Sequence, residues 1–173
     1  MVHTSLHAFP DDARLWLFAF PRPLPLQEQM SVAQGFEAFQ PHWKTHGTLI
    51  ESAWSLLEDQ ILAVSERTMG TQPSGCSIDA MLRHTQKLAR AIDLEFLDAQ
   101  QVMVRYAGKL RVVSKINLPA LLEREELHAE TPVIDLGLLE LGALRAGQLE
   151  RPLIGTWIGR KYKQLLEEAP TAH

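Results

Sequence analysis

Arg14-Leu15-Trp16-Leu17-Phe18-Ala19-Phe20 is a dense apolar run closed by Pro21, Pro23 and Pro25. A short continuous run of this kind reads as a β-strand buried on both faces, hence central in its sheet. The prolines end it, since each lacks the N–H that a sheet ladder needs. Past the prolines the hydrophobic period changes. From Leu26 to Trp43 the apolar residues Val32, Phe36, Phe39 and Trp43 recur at spacings of four, three and four, the signature of one helical face. Gly35 weakens that helix, and Pro41 distorts its end.

His46-Gly47 breaks the chain. Beyond it, Leu49 to Leu57 and Gln60 to Glu66 flank Glu58-Asp59 and read as a hairpin. Arg67 to Gly75, with Gly70, Pro73 and Gly75, reads as a loop. A second helix is expected over Ser77–Ile92, with Ile78, Met81, Leu82, Thr85, Leu88, Ala89 and Ile92 on one face and Arg83, Lys87 and Arg90 on the other. Gln100 to Tyr106 and Leu110 to Lys115 form another hairpin about Ala107-Gly108-Lys109, and Asn117 is a candidate cap for a short helix through Leu127. Past Glu130, Thr131 to Leu136 reads as a strand and Leu138 to Ala146 as a helix ended by Gly147. Residues Glu167 to His173 are expected to fray.

Up to Tyr106 the elements run strand, helix, strand, strand, helix, strand. That is the βαββαβ pattern of a ferredoxin-like α+β fold, an antiparallel sheet with two helices on one face. The strand after Gly108 extends the sheet. The expected organisation is one domain, with a core over residues 1–130 and a C-terminal extension over 131–173 packed on it.

Composition narrows the function. The chain has 173 residues, 46% hydrophobic and 22% charged, as expected of a folded domain with a core rather than a disordered chain. Its net charge of −4 argues against sequence-independent binding to nucleic acid or to an anionic membrane. No run approaches the about 20 apolar residues of a membrane span. Met1 to Phe9 lacks a cationic start followed by a long apolar stretch, so no signal peptide is expected. One cysteine closes no intramolecular disulfide, and the expected compartment is the cytoplasm. No G-x-x-x-x-G-K-[S/T] run is present, which excludes a P-loop ATPase or GTPase.

Chemistry concentrates at Ser74-Gly75-Cys76-Ser77-Ile78-Asp79, where the only cysteine stands at the start of the second helix. Helix N-termini favour thiolate over thiol. The commonest role of a free cysteine is nonetheless a buried core residue, and Asp79 in the same turn opposes thiolate formation. An unreactive, packed Cys76 is therefore expected. Ser74 or Ser77 reads as the helix cap, with Asp79 assisting. His46 is the candidate base for the thiol, whereas His84, about 12 Å along the helix, is a poor direct partner. Trp43 is a core residue that also suits a pocket wall.

The seven histidines form no metal motif. His3 and His7, and His42 and His46, are each four apart, and neither pair closes a zinc site. No metal and no cofactor are expected. The candidate binding residues are thus Trp43, His46, Ser74, Cys76, Ser77 and Asp79, with Cys76 and His46 as candidate catalytic residues.

Pro10-Asp11-Asp12-Ala13-Arg14-Leu15-Trp16, Trp43-Lys44-Thr45-His46-Gly47, the string Gly75-Cys76-Ser77-Ile78-Asp79 and Trp157 together carry a resemblance. The chain resembles an uncharacterised family of small bacterial proteins, often carried in Bacteroidota-type genomes under the automatic label "ABC transporter ATPase". The missing P-loop speaks against that label. In the family a histidine follows the last tryptophan, where this chain has Ile158. The resemblance implies an identity without a mechanism. Three classes of function remain open: a module binding a small molecule or a protein, a thiol-dependent enzyme using Cys76 as nucleophile, and a homodimer pairing through its sheet.

Overall fold

The computed structural model describes residues 6–67 and 73–168. In chain order the strands and α-helices are β1 (Arg14–Ala19), α1 (Leu26–Phe39), β2 (Lys44–Thr45), β3 (Thr48–Leu49), β4 (Glu51–Leu57), β5 (Ile61–Arg67), α2 (Gly75–Arg90), β6 (Gln101–Tyr106), β7 (Lys109–Ser114), α3 (Leu118–Glu123), β8 (Pro132–Ile134), α4 (Leu141–Arg145), β9 (Glu150–Pro152), α5 (Trp157–Lys161) and α6 (Lys163–Glu168). The class is α+β, with antiparallel sheets.

The chain divides into two compact units, Met1–Phe96 with Leu136–Ala146, and Leu97–Asp135 with Gly147–His173. The boundary expected between residues 130 and 131 falls inside the second unit, just ahead of β8.

In the first unit the sheet order is β1-β5-β4, all antiparallel. Here the aromatic run is corrected: β5, not β1, is the central strand, and all of Ile61–Glu66 is buried. Among the described residues, β1 has β5 on one side and the isolated bridge Arg14–Glu140 on the other. The expected fourth strand is β6, which pairs with β7 and β8 in the second unit's sheet instead of lying beside β1. The expectation that both helices cover one sheet face is met. Val32 and Phe36 of α1 and Met81, Leu88 and Ala89 of α2 share one core with Phe20, Trp54, Leu62 and Val64, and Trp16, Phe18, Phe39 and Leu82 pack against it. Trp16, Val64 and Trp54 stand side by side across the three strands, as the register requires.

Gly35 has a packing reason to be there. A Cβ at this position would lie 2.2 Å from Leu88 Cδ2, so its absence lets α1 and α2 approach closely. The first helix ends at Phe39, short of Trp43, where Pro41 stands inside a 3-10 turn over Gln40–His42. The turn between β4 and β5 is the expected one, with Glu58 and Asp59 at φ 47° and 56°.

The second unit's sheet runs β7-β6-β8-β9. Its core gathers Val104, Val113, Leu118, Leu121, Leu122, Leu127, Val133, Leu153 and Ile158. Trp157 packs on that core beneath Lys115, whose Nζ lies 4.8 Å from the ring centroid. Asn117 stands at the N-cap of α3 without a side-chain cap bond, and α3 ends at Glu123 rather than Leu127. Of the loop expected over Arg67–Gly75, residues 68–72 lie outside the described residues, as do His3 and, of the segment expected to fray, residues 169–173.

Candidate functional site

The chain from Phe39 to Leu49 builds one side of the site. After the 3-10 turn, Trp43 is extended, and Lys44–Thr45 pairs with Thr48–Leu49 in a tight hairpin. His46 and Gly47 form its turn with φ 46° and 81°, a pair of left-handed residues that suits a two-residue hairpin loop. From sequence this dipeptide reads only as a break; the turn in fact carries His46 back toward α2. Among the described residues, α2 contacts β2 directly.

The N-terminus of α2 builds the other side. Ser74 is its cap, accepting from Ser77 N at 3.3 Å, and the Ser77 hydroxyl donates back to the Ser74 carbonyl at 2.8 Å. Local hydrogen bonds of this kind satisfy a first-turn amide that the helix itself leaves open. Asp79 lies one residue beyond the first turn, which holds no acid, so it does not assist the cap.

Two cross-links fix hairpin to helix. Trp43 Nε1 donates to the Ser77 carbonyl at 2.8 Å, and the Ser74 amide donates to Thr45 Oγ1 at 3.1 Å. Trp43, Thr45 and Ser77 are all buried, and the Trp43–Ser77 bond is made away from water, where leaving either group unpaired is costly.

Between the two sides is a cleft of about 380 Å³, lined by Phe39, His42, Trp43, Lys44, His46, Ser74, Cys76, Ser77 and Ala80. Trp43, His46, Ser74, Cys76 and Ser77, each singled out from sequence, thus meet in one concavity. Asp79 is exposed and does not line it. Phe39, His42, Lys44 and Ala80 were missed. His42 and Lys44 flank Trp43 in sequence, and that adjacency to an aromatic wall was the available signal.

The expectation of a packed cysteine is overturned: Cys76 is exposed. The second residue of a helix points away from the sheet when the cap residue and Ser77 take the inward positions, and α2's buried positions begin at Ser77. Among the described residues, no hydrogen bond or ion pair engages the side chains of His42, Lys44, His46 or Cys76.

The floor of the cleft is backed by an aromatic stack. Phe39 lies on Trp43 with centroids 5.7 Å apart at 29°, and on the His84 ring at 4.2 Å and 10°. His84 Nε2 lies 3.0 Å from the Gly35 carbonyl, an acceptor, so this nitrogen carries the proton. Burial holds the His84 imidazole below its ordinary range, and Lys87 acts in the same direction, against a raising effect of the Gly35 bond. His84 does not reach the cleft.

Among the described residues, no cluster of three or more His, Cys, Asp or Glu is placed to hold a metal ion, and no helix is long and apolar enough to cross a membrane. No protein-family model, no curated protein and no solved structure matches this chain.

Proposed function

We propose that the chain is a binding module for a small molecule, and that its site is the cleft between the β2–β3 turn and the N-terminus of α2. The observation that carries the reading is the convergence of an exposed thiol, two imidazoles and a lysine, all unengaged among the described residues, on an aromatic wall held by hydrogen bonds. Concave sites with an apolar wall and a few placed polar groups are where small ligands bind, and walls fixed beforehand lower the ordering cost of binding. A screen of small fragments by ¹H–¹⁵N correlation NMR tests this. Hits should shift the Trp43 indole N–H and the amides of Lys44–His46 and Ser74–Ser77; a screen with no such shifts contradicts it.

A second reading, a thiol-dependent enzyme, draws on Cys76 being exposed and sharing the cleft with His46. A positioned imidazole is what such a thiol needs as base. Iodoacetamide alkylation whose rate stays high down to pH 7, and falls in a His46→Gln variant, supports it; the slow rate of a free thiol contradicts it.

On this reading the protein is not an ATPase. The exposed free thiol suits a reducing compartment, so we take the protein as cytoplasmic. The first unit reads as a ferredoxin-like arrangement lacking its fourth strand, since β1 and β4 flank β5 as the split βαβ order requires. The resemblance of Gly75–Asp79 to the small bacterial family belongs with this proposal, because Cys76 and Ser77 of that string line the cleft.

A further inference from the structure

We infer that the cleft selects a small anion carried on a flat, apolar body. The inference rests on reading the cleft as a binding site and names the ligand class that its walls recognise. The chain carries 21 acidic residues against 17 Lys and Arg, yet no Asp or Glu lines the cleft. The Lys44 ammonium is among its lining groups. His42 and His46 each offer a ring N–H in whichever tautomer they adopt. Ser74 and Ser77 cannot redirect freely, since their hydroxyls serve the helix cap. Lys44 can only donate and each imidazole can turn a ring N–H to a ligand, a set that pairs best with an acceptor carrying negative charge. The positive end of the 16-residue α2 acts in the same sense, and the exposed Asp79 carboxylate two residues past Ser77 acts against it.

The apolar part follows from Phe39, Trp43 and Ala80. Phe39 is half-buried and stacked on Trp43 and His84, so the part of its ring left exposed is held rigidly. Rings prefer offset or edge contacts with other rings, so a flat hydrocarbon body fits this wall better than a sugar or a bare inorganic ion. The volume of about 380 Å³ lies at the small end of the range for ligand pockets.

The test uses three probes with one ring system: 2-naphthalenesulfonate, 2-naphthalenemethanol and 2-naphthylmethylammonium. Affinities are read from shifts of the Trp43 indole and the 74–77 amides at low salt. The sulfonate should bind about tenfold or more tighter than the ammonium, the size expected of one charge-assisted contact. Lys44→Gln, and separately His46→Gln, should narrow that gap; both positions are exposed, and an unchanged ¹H–¹⁵N spectrum away from the hairpin verifies that each variant folds. If the ammonium or the alcohol binds as tightly as the sulfonate, the charge inference is overturned while the cleft remains a binding site. If none of the three shifts these signals, the cleft reading itself falls, and the inference with it.

Discussion

The indole N–H of Trp43 donates to the main-chain carbonyl of Ser77 at 2.8 Å, a buried bond between residues 34 positions apart. It joins the strand that leaves α1 to the first turn of α2, and the cleft lies between them. Most of what the sequence offers as chemistry is brought together by this bond and by its neighbour from the Ser74 amide to Thr45.

Trp43→Phe keeps an aromatic ring and removes the N–H. The variant should lose about 1–3 kcal/mol, from the bond and the volume that the smaller ring leaves. Urea unfolding checks this. Amide exchange at Ser77 and Ile78 should quicken more than exchange in β5, and equal protection at both would show that the bond does not hold the helix start.

Gly35→Ala brings two effects into opposition. A helical alanine gains about 1 kcal/mol over glycine, but its Cβ would lie 2.2 Å from Leu88 Cδ2, and overpacking of this kind costs about 1–3 kcal/mol. The single variant should therefore be neutral to destabilised. In a Leu88→Ala background the clash is gone, and the same substitution should become stabilising. A double-mutant cycle by thermal unfolding reads the sign change; no change of sign would mean that the helices do not pack at this contact.

His84 gives stability a pH dependence. Burial lowers its folded-state pKa below the ordinary 6.5 of the unfolded chain. The unfolded state therefore takes up the proton first as pH falls. The contribution is complete above about 6.5 and is lost as pH drops through that value toward the lower folded one. His84→Gln should flatten this slope between about pH 7.5 and 5, measured as urea midpoints. An unchanged slope would show that His84 titrates alike in both states.

Cys76 should be stoichiometrically accessible to Ellman's reagent in the folded protein, because it is exposed. Cys76→Ser should alter stability by no more than about 0.5 kcal/mol, as for other surface substitutions. Reaction only on unfolding, or a large stability loss, would place the thiol in the core instead.

How far the fold was legible depends on which signals are local. The helix periods, the Glu58-Asp59 turn and the shared face of α1 and α2 depend on neighbours in sequence, and they appear in the structure. The pairing of β6 does not. Nothing within Gln101–Tyr106 says whether it joins β1 or β7 and β8, because strand pairing is set by distant partners. The aromatic run misled for the same reason: Trp16, Phe18 and Phe20 announce burial, but not which neighbour supplies it. At the site, the Gly75–Asp79 string pointed to the right end of α2, while the inward or outward direction of Cys76 turned on a small shift in the helix start. Starting α2 at Gly75 rather than Ser77 puts Ser77 inward and the thiol outside.

The most direct test of the binding cleft compares native protein with protein whose Cys76 is capped by N-ethylmaleimide, in the same fragment screen by ¹H–¹⁵N correlation NMR. Cys76 lines the cleft, so the cap should fill part of it. The predicted result is a set of fragments that shift the Trp43 indole N–H and the amides of Lys44–His46 and Ser74–Ser77 in native protein and lose those shifts on capping. Fragments whose shifts cluster elsewhere, or persist unchanged at these positions after capping, would contradict it.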